Sequence, residues 1–155
     1  MGLFIEIIIG IVIAVIVYFV VHYFAVTVPS RKYSNTIKQV TDKAVISVLK
    51  DMEVIEDHSK VMSNYNADVW GRGVMTFEYR VPLKSEHPDF KKIRLELNQR
   101  LNQYAKDHKL DSRGPQTFVI TDLWQMDEDI LFDVAYLVNQ ITVEYVDDLN
   151  RLTNN

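Results

Sequence analysis

The hydrophobic pattern divides the chain sharply. Residues 7–28 contain no Asp, Glu, Lys or Arg, and His22 is the only basic side chain among them. A helix rises about 1.5 Å per residue, so these positions span roughly 33 Å, enough to cross the hydrocarbon core of a bilayer. A helix apolar on every face has no favourable arrangement in water, whereas in lipid its backbone polar groups are satisfied internally. The pattern predicts a single transmembrane helix over residues 1–28. Pro29 is expected to end it, because proline lacks an amide proton and disfavours helix at the preceding residue. A short juxtamembrane linker over residues 29–34 then places Arg31, Lys32 and Tyr33 at the membrane interface.

Residues 35–155 read as one small α+β domain in the order helix, strand, helix, strand, then a helix or β-hairpin. Ile37, Val40, Ala44, Val48, Met52 and Ile55 recur at three- and four-residue steps, which predicts a helix over 35–57 with Ser34 as its N-cap. Residues 63–68 read as a loop. Met75, Phe77, Tyr79 and Val81 alternate with polar residues, the period of a half-buried strand. Gly71 and Gly73 before it suggest a bulge or turn.

Pro88 and Asp89 suit the start of the next helix, whose stripe is Phe90, Ile93, Leu97, Leu101 and Tyr104. Residues 111–115 break it. Residues 117–124 predict a second strand, with Phe118, Ile120 and Trp124 on one side and Val119, Thr121 and Leu123 on the other. Because both faces are apolar, this strand is expected to be central. Residues 127–152 fit a helix with Asp127 as N-cap. The strand-formers in 130–138 and 141–146, with a turn at Asn139 and Gln140, describe the alternative hairpin.

Composition narrows the function classes. The net charge of −4 is too mild for a dedicated nucleic-acid binder, and the absence of cysteine excludes thiol catalysis and a disulfide framework. No phosphate-binding glycine loop or nucleophile elbow occurs, so an enzyme is not expected and no cofactor is implied. His22, His58, His87 and His108 lack the spacing of paired metal ligands. The acids Asp122, Asp127, Glu128, Asp129 and Asp133 lack the alternation and glycine of a calcium loop, so no metal is assigned.

Charge is unevenly distributed. Residues 89–113 carry seven basic and four acidic side chains, and residues 114–155 one basic and eight acidic, which suggests that the two stretches pair inside the domain. Lys91, Lys92 and Arg94 are candidates for contact with anionic lipid or an acidic partner, because cations are disfavoured at a helix start. Gly10 and Ala14 form a small-xxx-small pair suited to helix–helix contact in the membrane.

These features point to a membrane-tethered, non-enzymatic subunit of a membrane-associated complex. Its expected partners are membrane lipid and either another protein or further copies of itself. Arg31, Lys32, Lys38 and Lys43 lie just after the span, and no Lys or Arg precedes it. By the positive-inside rule the domain is therefore cytoplasmic, the N-terminus outside, and the site a cell membrane crossed once. An alternative is a membrane-active protein of holin or superinfection-exclusion type, in which the anchor itself is the effector. A third reading starts from Gly2-Leu3-Phe4-Ile5-Glu6 ahead of the apolar run, which resembles the start of type IV pilins. In that family the Glu lies one position later and follows a basic leader. The resemblance implies a pilus or secretion component with its domain outside.

Overall fold

A computed structural model describes residues 2–52, 61–65, 73–82 and 89–153. The chain divides into two compact units, Met1–Thr36 and Ile37–Asn155. The first holds helix α1 (Gly2–His22), a π-helical segment (Tyr23–Thr27) and the start of helix α2 (Val28–Asp51). α1 buries none of its residues, and it belongs to a helix long and apolar enough to cross a membrane. The expected break at Pro29 is absent, and the intended linker 29–34 is helical. The π turn explains how. Val28 N–H donates to Tyr23 O, five residues back, so the backbone widens just where the proline ring would strike the preceding turn. Ser34 is not a cap either, since its hydroxyl donates to Ser30 O inside the helix. α2 runs to Asp51, and residues 53–57 of the predicted helix lie outside the described residues.

The second unit is an α+β domain. Its described strands are β1 (Met62–Tyr65), β2 (Thr76–Pro82), β3 (Phe118–Met126) and β4 (Asp129–Tyr136), joined as one antiparallel sheet in the order β1-β2-β4-β3. Met75, Phe77, Tyr79 and Val81 are buried, as their alternation predicts. With Phe118, Ile120, Ile130, Phe132, Val134 and Tyr136 they form one sheet face. Ile37, Ala44, Val45, Val48 and Leu49 of α2 complete the core together with Leu97, Leu101 and Ala105 of helix α3 (Phe90–Asp107). Tyr79 stacks on Phe132 at 5.5 Å between ring centroids, and its hydroxyl donates to Asp42 Oδ1 at 2.8 Å. Burial and the Asp42 carboxylate hold that phenol well above its usual pKa.

Several sequence expectations need correction. Residues 63–65, read as loop, form β1, while 66–68 lie outside the described residues. Asp89 is the N-cap of α3, accepting from Lys92 N–H at 3.1 Å, and Pro88 is outside the described residues. β3 is an edge strand rather than a central one. A bulge between Ile120 and Asp122 also reverses its later side chains, so Leu123 joins the core face and Trp124 the opposite one. Residues 127–152 are neither one helix nor a hairpin. Asp127 and Glu128 turn the chain, with Asp127 at φ 55°, and β4 follows. β4 is the strand buried on both faces, and its apolar run 130–137 carries the signal expected of residues 117–124. Helix α4 (Gln140–Thr153) comes last, with Asn139 Oδ1 accepting from Thr142 N–H as its cap.

The exposed edge of β3 is closed by one face of α3. Asn102 Oδ1 accepts from Thr117 and Phe118 N–H, and its Nδ2 donates to Phe118 O at 2.7 Å. One turn back, Asn98 Oδ1 accepts from Ile120 N–H, and a further turn back Arg94 donates to Ile120 O and Thr121 O. Residues four apart share a helix face, so this row satisfies backbone groups that would otherwise template another strand. Asn102→Ala in the full chain should therefore lower domain stability by about 1–3 kcal/mol in a urea titration, since partly buried N–H groups lose their acceptor. A change below about 0.5 kcal/mol would show that this edge is held by something else.

Candidate functional site

The second sheet face carries the least expected chemistry in the domain. By register, Glu78 of β2 lies opposite Asp133 of β4, which lies opposite Asp122 of β3. Three carboxylates thus form one row across three strands, although like charges directly opposite are destabilising. Asp133, in the middle, is only 5% exposed, and its Oδ1 has no hydrogen-bond partner. Burial, then Glu78 and Asp122, raise its pKa to about 6. Thr76, two residues before Glu78 on the same face, is 1% exposed and also has an unpartnered Oγ1.

α4 lies over the neighbouring part of this face. Val143, Tyr145 and Val146 pack on Val119, Ala135 and Leu137. Its first turn is stitched to the start of β2, where Asn139 Nδ2 donates to Gly73 O and Met75 N–H donates to Thr142 Oγ1, each at 2.9 Å. Gly73 has φ +93°, and an added Cβ there would meet Ile141 Cδ1 at 3.1 Å, so glycine serves both the backbone and the close approach of the helix. Burial, then Asp133 and Asp122, raise the Tyr145 pKa to about 12. Arg80 pairs with Asp129 on the same face.

The sequence candidates are dispersed. Gly10 and Ala14 lie on the exposed surface of α1, with nothing within 4 Å of a Cβ built on Gly10. Lys91 and Lys92 are exposed at the start of α3, whereas Arg94 is engaged with the β3 backbone. The expected pairing of basic and acidic stretches is not seen among the described ion pairs. Arg100 pairs with Glu96 and Arg151 with Asp148, each within its own helix. His22 lies in the last turn of α1, His108 follows α3 and stacks on Tyr104 at 3.9 Å, and His58 and His87 are outside the described residues. Of the five acids weighed for a metal, the structure brings Asp122 and Asp133 together. Among the described residues no group of three His, Cys, Asp or Glu side chains is placed to hold a metal ion.

Sequence reasoning missed Glu78 and Thr76 as neighbours of Asp133. The available signal was Asp133 itself, a lone charge inside the apolar run of β4. Comparison with family models, curated proteins and solved structures finds no match to this chain.

Proposed function

We propose that this chain is a membrane-tethered, non-enzymatic subunit that holds a small α+β domain at a membrane as part of a larger complex. One observation carries the reading: between Glu6 and His22, α1 is apolar around its whole circumference, and it buries no residue. Such a surface is unstable in water and is satisfied by lipid. Tyr18, His22 and Tyr23 gather near the C-terminal end of the span, where amphipathic rings favour the headgroup region. Arg31, Lys32, Lys38 and Lys43 follow within the distance over which basic residues set orientation, which supports a cytoplasmic domain. Gly10 and Ala14 offer a surface for close approach of a second span, and Lys91 and Lys92 an exposed basic pair for anionic lipid or an acidic partner.

The chain has no cysteine, so a single Gln99→Cys, at an exposed position of α3, provides a clean reporter. The full chain should sediment with membranes and resist alkaline carbonate extraction. A membrane-impermeant thiol reagent should label it only after lysis. Recovery in the carbonate-soluble fraction would overturn the tether. Labelling of intact cells would place the domain outside and favour a pilin-like arrangement.

A further inference from the structure

The acidic row belongs to the second unit, outside the proposed span, and it costs the fold stability unless something neutralises it. We propose that Asp133 is a proton-binding site, and that uptake of this proton seats α4 on the sheet. Among the described residues the geometry supports a proton in preference to a cationic side chain. β2 contributes Glu78 and Arg80, and Arg80 is committed to Asp129. β3 contributes Asp122, and β1 contributes the uncharged Asn64 opposite Glu78. From α4 Tyr145 packs on the same face, while Glu144, Asp147, Asp148 and Arg151 are exposed and Arg151 pairs with Asp148. Among the described residues no cation pairs with Glu78, Asp122 or Asp133.

A proton removes the central charge from the row and gives Asp133 an O–H donor, on a face that also holds the unpartnered Thr76 Oγ1. The shift of Asp133 to about 6 agrees with this, and its sign is definite. The folded state binds the proton more tightly than the unfolded chain. The resulting stability is fully present below the ordinary carboxyl value and is lost as pH rises through about 6. The first turn of α4 is held by Asn139 and Thr142 irrespective of this charge. Tyr145 and Val146 pack against Val119, Ala135 and Leu137 next to the row, so the helix from Tyr145 onward loosens at neutral pH and tightens in acid.

Hydrogen exchange of the full chain in detergent micelles, corrected for the intrinsic rate, tests this at about pH 5 and about pH 7.5, on either side of the Asp133 titration near 6. Amides from Tyr145 onward should be about tenfold or more better protected at the acidic pH, measured relative to α3 as an internal reference. Asp133→Asn should give high protection at both values, with no pH response. Equal protection of wild-type α4 at both pH values, or a pH response that survives in Asp133→Asn, overturns the proposal. Should Asp133→Asn fail to fold, Glu78→Gln decides. Removing one like charge must move the midpoint of the response to lower pH, and an unmoved midpoint overturns the proposal equally.

Discussion

Phe132→Ala is expected to cost the domain about 3–5 kcal/mol, the usual range for emptying an aromatic site in a core. Phe132 is fully buried on the central strand β4, stacks on Tyr79, and lies between Tyr79 and Leu123 in the sheet register. Its removal leaves a cavity and frees a phenol whose hydroxyl is tied to Asp42. Against a total of about 5–15 kcal/mol for a domain, this is a large fraction. The thermal midpoint of the full chain in detergent should fall by about 10–20 °C. Leu95→Ala is the matched control: Leu95 is 60% exposed on α3, and its loss should stay within about 0.5 kcal/mol. Similar effects of the two variants would mean that the core is not organised around β4.

Ile13→Arg combined with Val17→Arg should remove the chain from the membrane fraction. The two residues are one turn apart near the middle of α1, so both charges enter the same side of the proposed span. Each Arg at the centre of a transmembrane helix costs about 2.5–3.5 kcal/mol on insertion scales. Together they cost about 5–7 kcal/mol, which offsets most of what the apolar residues of the span return at about 0.3–0.6 kcal/mol each. Ile13→Leu with Val17→Leu, which keeps the surface apolar, should leave partitioning unchanged. Retention of the double Arg variant in carbonate-washed membranes would show that α1 is not the membrane-embedded element.

Much of this architecture was legible without a structure. The apolar run is visible because its feature, the absence of charge over twenty-two residues, is local and needs no partner. The stripes of α2 and α3 and the alternation of β2 are likewise properties of one segment, and the residues they single out, Val48, Leu97, Leu101, Phe77 and Tyr79, are buried. Asp89 signalled a helix start through its own side chain, and it caps α3.

What periodicity cannot supply is the identity of a segment's neighbours. β3 and β4 both carry apolar residues on both faces, and only pairing decides that β4 is central while β3 takes the edge. That edge is viable because Asn98 and Asn102, ordinary polar helix residues in the sequence, meet the β3 backbone from across the fold. The bulge after Ile120 reverses Trp124 and Leu123 by adding one residue to a ladder of period two, a consequence of register. Pro29 fails to stop its helix because the π turn absorbs the steric conflict within the helix itself.

The acidic row shows the same division. In the sequence Asp133 is one of five neighbouring acids that lack the pattern of a calcium loop. The tertiary structure leaves Asp127 and Glu128 in the turn before β4 and sets Asp133 between Glu78 and Asp122. A sequence records which charges a chain carries, but the distance between charges on different strands, and the water excluded around them, exist only once the strands have paired.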